Sequence, residues 1–370
     1  MELSYWENKT WLSNIDFTIV GSGIVGLNCA LHIKNRFPKS KVLILEKGIL
    51  PQGASTKNAG FACFGSISEV MSDLNSHTEI EVVQLVNQRF KGIKLLRETL
   101  GDENIGYKKL GGHELFLKKD SALFEKCTSS ISHVNGLLEP VFGKVVFQKT
   151  SNIFDFKHVN EHFITHSEEG QIDTGKMMNA LLDLVQKKGI SILNSVQVEE
   201  FEENGDSVVV KTNHFEFETK KLLLATNGFA SKLLDEKVQP ARAQVLITKP
   251  IVNLKIKGTF HFDEGYYYFR NIDNRILFGG GRNLDFQGEE TAVFGQTEII
   301  QKELERLLRQ VILPNISFKV DQRWSGIMGV GDLKKPVVKQ LSNNVFCGVR
   351  LGGMGIAIGS SVGKELANLP

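Results

Sequence analysis

Three glycines placed directly after an apolar strand constrain this chain more than any other feature. Gly21-Ser22-Gly23-Ile24-Val25-Gly26 follows the run Ile15-Asp16-Phe17-Thr18-Ile19-Val20, and a second apolar run, Val42-Leu43-Ile44-Leu45, ends on the acid Glu46. Strand, glycine turn, helix and strand in this order form half of a dinucleotide-binding unit. The first glycine permits the tight turn, the second lets a pyrophosphate approach the backbone, and the third lets the helix pack on the strand. Free N–H groups and the positive dipole end of the helix then face the phosphates. Glu46 is spaced to take ribose hydroxyls, where a phosphorylated ribose would need a basic residue.

Bulk properties bound what else the chain can be. At 370 residues it exceeds the length of one ordinary core, so two domains are expected, and its 41% hydrophobic content is ample for both. A net charge of +2 without blocks of like charge argues against nucleic acid or an anionic membrane as the main partner. Cys29, Cys63, Cys127 and Cys347 are scattered without metal-site spacing, so neither zinc nor a disulfide framework is expected, and a reducing, cytoplasmic setting fits. The first residues carry an acid and two aromatics in place of a basic and then apolar leader, and no run has transmembrane length.

Further along, Val86, Phe90, Ile93, Leu96 and Leu100 recur at helical spacing before Gly101. Short β-like pieces between Gly106 and Gln148 flank a polar segment around 119–135. Asp173 or Thr174 can cap a helix bearing Met177, Leu181, Leu184 and Val185. The runs 196–198, 207–212 and 215–219 read as a β-meander leading into the buried strand Lys221-Leu222-Leu223-Leu224. Strand-like runs over 239–290 predict an antiparallel sheet, and a helix over 300–311 follows. Strand, glycine turn and helix recur at 344–359. The fold expected is α/β (α+β overall): a discontinuous Rossmann-like cofactor domain (1–105, 149–236 and 322–370) and a mainly antiparallel β substrate domain (106–148 and 237–321).

Four stretches resemble the flavin-dependent D-amino-acid oxidase superfamily, in its glycine oxidase, sarcosine oxidase and γ-glutamylputrescine oxidase branch. They are Ile19–Gly26 with Leu45-Glu46-Lys47; Gly53-Ala54-Ser55-Thr56-Lys57-Asn58-Ala59-Gly60; Ala225-Thr226-Asn227-Gly228; and Arg323–Gly329 with Gly348–Gly355. The resemblance implies non-covalent FAD, with its adenosine end near Glu46 and Lys47 and its ring between the two domains. Gly53–Gly60 would run along the ribityl chain and ring edge, Val198 would meet the adenine, and Ala225, Thr226, Asn227 and Gly228 would lie beside the pyrophosphate. Gly326 and Ile327, with Arg350, Leu351, Gly352, Gly353, Met354, Gly355, Ile356 and Ala357, would border the flavin, the turn offering N–H groups to its pyrimidine edge. Sarcosine oxidases attach flavin through a cysteine in the segment matching Ser325–Gly329, and none is present there.

The reaction the resemblance implies is hydride transfer from an amine-bearing carbon to flavin N5, with oxygen or another acceptor reoxidising the flavin. It requires a positioned C–H and a neutral amine, so no protein acid or base is nominated. The family's carboxylate-binding arginine falls on Met328, which sets the chain apart from relatives that take simple amino acids. Tyr266 falls on the family's pocket tyrosine, and Arg350 is the candidate substitute cation, ahead of Arg282. His113, inside a strand pattern, reads as structural. Two alternatives stay open: an FAD-dependent 2-hydroxy acid dehydrogenase, and a flavin-binding protein without turnover.

Overall fold

The computed structural model describes residues 2–370. In its first sheet, Ile15–Val20 lies between Val42–Glu46 and Glu216–Leu224 and runs parallel to both. Ser191–Asn194 extends the sheet on one side and Val345–Val349 on the other, again parallel. Parallel strands are covered on both faces and are therefore apolar throughout; every residue of Val42–Glu46 and Val345–Val349 is buried. Their carboxyl ends open on one crevice, where such sheets bind ligands.

Helix Gly355–Ala367 is wedged between helices Ile24–Arg36 and Glu79–Leu100 at backbone distance. A Cβ added at Gly363 would lie 2.6 Å from the Val25 carbonyl oxygen, and one at Gly92 would lie 2.0 Å from that of Ala357. This packing holds the C-terminal glycine turn beside the N-terminal one. The meander is present as Val198–Asn204 and Ser207–Thr212. Its third strand is continuous with the buried parallel strand, both being parts of Glu216–Leu224.

The second sheet runs in the spatial order Val320–Val330, Gln239–Thr248, Arg275–Gly280, Tyr267–Ile272, Thr259–Phe262, Gly112–Glu114, His162–His166, Phe147–Ser151. Its neighbours are antiparallel except for Thr259–Phe262 with Gly112–Glu114. The expected domain breaks at 148/149 and 321/322 fall inside two of these strands, and His162–His166 also pairs in this sheet. Its back is an aromatic core in which Phe260 stacks on Phe269 at 4.7 Å and Tyr267 on Phe262 at 4.9 Å. Helix Glu298–Leu307 and the turn Leu308–Ile312 add their buried leucines to that core.

One element departs from the sequence reading. The polar segment around 119–135 is not a link between short strands but part of a 22-residue helix, Ser121–Phe142. Its apolar stripe is thin, with Phe124, Cys127, Val134 and Leu138 buried among serines, threonine and histidine, so residues of middling helix propensity hide the period. Tertiary contacts supply what propensity lacks. The Asn135 amide donates to the Phe147 carbonyl at 2.8 Å and accepts from the N–H groups of Val146 and Phe147. No helix among the described residues is long and apolar enough to cross a membrane.

Candidate active site

The fingerprint turn is built by close approach. Gly21 has φ 106° and a Cβ there would lie 2.8 Å from the Ala225 carbonyl oxygen, while a Cβ at Gly26 would sit 1.9 Å from that of Gly21. Gly23 is the residue before helix Ile24–Arg36, and the Ile24 N–H donates to Ser55 Oγ at 2.9 Å. The Gly53–Gly60 loop thus reaches the helix N-terminus. Val25 is buried one residue further on, inside the helix. Glu46 is buried, its carboxylate accepting from the Ser22 N–H at 3.1 Å, the Ser22 hydroxyl at 2.7 Å and the Gly48 N–H at 2.9 Å. Two carboxylate oxygens offer about four acceptor sites, so capacity for ribose hydroxyls remains. Lys47 lies over the Phe229 ring, 3.2 Å from its centroid. Val198 is buried in the same core as Leu43 and Leu45.

Within the Gly53–Gly60 loop, Asn58 is a staple. Its amide donates to the carbonyls of Ala54 and Ser55 and accepts from the Gly60 N–H and the Thr174 hydroxyl. Thr56 donates to the Pro51 carbonyl at 2.7 Å, and Ala59 is buried. These side chains shape the loop, leaving its outer backbone for a ligand. Asn227 joins the next two segments, its Oδ1 accepting from the Leu351 N–H at 3.1 Å. The Gly352 N–H donates to Gly329, and the Trp324 indole to the Lys57 carbonyl at 3.0 Å. By strand alternation Met328 shares a face with Trp324 and Gly326, which meet Lys57 and Ala54, whereas Ile327 is buried on the other side, near Gly228.

The residues present fit FAD. Apart from the adjoining residues and the helix's own backbone, no described atom lies within 4 Å of a Cβ built at Gly53, Gly352, Gly353 or Gly355, so both glycine turns front open space. Thr226 Oγ1 is buried without a hydrogen-bond partner, in the segment expected beside the pyrophosphate. A buried hydroxyl left unpaired in a native fold calls for an acceptor. Ile356 and Ala357 are buried in the first turn of the C-terminal helix.

The substrate side is less like the expectation. Arg350 has φ 65°, and its guanidinium donates to the carbonyls of Lys335 at 3.1 Å and Lys237 at 3.4 Å. These bonds use two of the five guanidinium N–H donors and tie the side chain to the backbone of the 237 and 335 segments. Tyr266 lies at the rim, 41% exposed and edge-on to Phe286, with Arg282 over the same Phe286 ring. Tyr268 is deeper, edge-on to Phe61 at 5.6 Å. Burial pushes its phenol up to about 12. Phe61 follows the Gly53–Gly60 loop directly, and two residues later Cys63 Sγ lies 4.0 Å from Met354 Sδ in the C-terminal turn. The short strand Phe61–Ala62 therefore leads from the first glycine segment to a residue that touches the second.

Three buried polar residues here carry no recognisable sequence signal. Arg270, on the Tyr266–Tyr268 face, is 2% exposed, forms no ion pair among the described residues and has an unpaired Nε. Burial draws it down to about 10, so it stays charged near neutral pH. His261 packs edge-on to Phe61 at 5.0 Å. Glu169 accepts from the N–H groups of Phe64 and Gly65, and burial raises it to about 8. Arg270 and His261 each follow an aromatic residue in a β-strand, Glu169 lies in the polar turn His166–Gln171, and their partners are far away in sequence. His113 bonds the Thr165 hydroxyl at 2.8 Å and stacks on Phe260, a satisfied structural residue.

A parallel sheet with a glycine-lined crevice, beside an aromatic antiparallel sheet, is the architecture expected of a dinucleotide-dependent oxidoreductase. The family described as "DAO: FAD dependent oxidoreductase" matches residues 16–369, and the chain belongs to it. It is 22% identical to the probable oxidoreductase OrdL of Haemophilus influenzae over 97% of this chain and 83% of that protein. It is likewise 22% identical to the γ-glutamylputrescine oxidoreductase of Escherichia coli, over 96% and 83%. Among solved structures, the iminodiacetate oxidase of Chelativorans sp. BNC1 superposes with a TM-score of 0.76 at 17% identity, covering 95% of this chain and 94% of that one.

Proposed function

We infer that this FAD-dependent oxidoreductase oxidises the C–N bond of an amine or amino acid. The observation that carries the reading is the cleft wall itself. Phe61, which follows the first glycine loop, meets both His261 and Tyr268 in T-shaped contact, a surface suited to orient an apolar carbon and shield it from water. Bound FAD supplies the hydride acceptor. The chain's own residues hold the substrate carbon in place and exclude solvent, and orientation of this kind supplies much of a rate enhancement. Met328, where the family carries a carboxylate-binding arginine, favours an amine over a small amino acid, and the γ-glutamylputrescine oxidoreductase supports that choice as a relative. The substrate-side roles rest on Tyr266 at the rim and Met328 on the strand.

FAD is held without a covalent bond on this reading. Cys63 is the thiol nearest the C-terminal turn, and burial raises it well above the ordinary thiol range, so it is a poor nucleophile. Acid precipitation should leave a yellow supernatant; a yellow pellet over a colourless supernatant would contradict this. Four buried, unpaired cysteines support a reducing, cytoplasmic setting. The test of the reaction is anaerobic bleaching of the flavin with secondary amines, amino acids, acylated polyamines and hydroxy acids. At least one amine should bleach it, and bleaching by hydroxy acids alone would overturn the reading.

A further inference from the structure

We propose that the cavity behind the antiparallel sheet is a second binding site, and that it takes a small organic anion, a carboxylate on an apolar or aromatic body. The site does not rest on the amine reading.

The cavity has a volume of about 470 Å³, within the roughly 300–1,000 Å³ usual for small-molecule sites. Its floor is the stacked ring pair Phe262 and Tyr267 with Leu307 and Val311, all four buried in the aromatic core. This is the far side of the sheet from the flavin. Tyr268, the next residue on the strand, meets Phe61 instead, and successive side chains of a strand leave on opposite faces. Accordingly, none of Phe61, Tyr266, Tyr268 or His261 lines the cavity.

The mouth carries unanswered positive charge. Lys118 and Lys119 are exposed there, and neither ammonium makes a hydrogen bond or ion pair among the described residues. Their turn, Lys118–Asp120, is fixed to the opposite lip, because the Lys118 N–H donates to the His158 carbonyl at 2.9 Å. The acids of the lining are already engaged. Glu303 accepts from Arg306 Nε and Nη2 at 2.7 Å each, and Asp263 accepts from the Asn283 amide at 2.9 Å. Asp120, which offsets part of the Lys119 charge, lies outside the lining.

The floor adds a donor. Tyr267 is 5% exposed, and its hydroxyl has no hydrogen-bond partner among the described residues. The phenol is within electrostatic reach of Glu303, Asp263 and Arg306, all of them in the lining, so its oxygen end belongs to the polar side of the cavity. Burial raises the phenol, which therefore keeps its proton. A buried hydroxyl left unpaired calls for an acceptor, and a carboxylate is one. Apolar walls below and two unpaired ammonium groups above fit a molecule with one apolar and one anionic end. A bare inorganic anion would leave the floor uncovered.

The test is calorimetric titration of flavin-loaded protein with phenylacetate, its neutral amide phenylacetamide, and inorganic phosphate, with the flavin absorbance recorded alongside. Phenylacetate should bind saturably at millimolar concentration or below and leave the flavin spectrum unchanged. The amide and phosphate, each lacking one half of the match, should bind at least about tenfold more weakly. Combining Lys118→Glu with Lys119→Glu, on the surface and away from the flavin, should weaken phenylacetate at least about tenfold with flavin content unchanged. Tyr267→Phe keeps the stacked ring and should weaken it by about threefold to tenfold. Equal affinity for acid and amide, full affinity in the double lysine variant, or no binding of phenylacetate at millimolar concentration would overturn the site. Binding that perturbs the flavin spectrum would place the probe in the cleft and overturn it equally.

Discussion

The two walls of the cleft are made in opposite ways. On the parallel-sheet side recognition is by backbone: Gly21 and Gly26 bring main chain within contact distance, and Gly53, Gly352, Gly353 and Gly355 front open space. The antiparallel side presents side chains instead, with Phe61 in T-shaped contact with His261 and Tyr268 and the buried Glu169 carboxyl 4.0 Å from His261. A cofactor shared across a family can be met by peptide groups, which are the same in every chain. A substrate that differs between members needs side chains, which are what the second wall offers.

Altering each wall should therefore fail differently, and the largest effect belongs to the backbone wall. Gly26→Ala puts a methyl 1.9 Å from the Gly21 carbonyl oxygen. Neither main chain can yield, so overpacking of about 3 kcal/mol or more is expected. The flavin-to-protein absorbance ratio should fall at least about tenfold; a full complement of flavin would break the contrast.

On the side-chain wall the effect depends on pH. Glu169 rises from the usual 4.5 to about 8 on burial. Between those values the folded state holds a proton that the unfolded chain has lost, so this group's stabilisation is complete below pH 4.5 and is lost as pH rises towards 8. Glu169→Gln cannot ionise and should remove that decline, a difference on the order of a few kcal/mol by pH 8. Denaturant midpoints of the two proteins measured from pH 5 to 8 should diverge, and parallel curves would contradict the buried carboxyl.

The smallest effect is expected at Arg350, between the walls. Arg350→Gly relieves a positive φ but loses two guanidinium bonds to carbonyls. These changes, about 1 kcal/mol each, nearly offset. The melting temperature should move by about 2 °C or less, with the substrate KM unchanged. A large rise in KM for carboxylate-bearing substrates would restore Arg350 as a clamp.

The same contrast explains what could be read from sequence. The strand–turn–helix units at 15–36 and 345–367 were legible because glycine is the residue that permits such close approach, and the meander because its alternation is strict. Helix Ser121–Phe142 was not, since its buried stripe is thin and Asn135 replaces propensity with a tertiary hydrogen bond. On the substrate side, Met328 marked a departure without naming its replacement. Glu169 and His261 were illegible because the first is one acid among several polar residues of a turn and the second a single histidine between phenylalanines, and only the tertiary fold brings them together.

The account stands most directly on one measurement, the stoichiometry of a single anaerobic turnover. An amine substrate mixed with one equivalent of flavin-loaded protein should bleach the flavin fully and release one equivalent of ammonia or daughter amine per flavin. Full bleaching by a hydroxy acid, with a keto acid and no nitrogenous product, would contradict it.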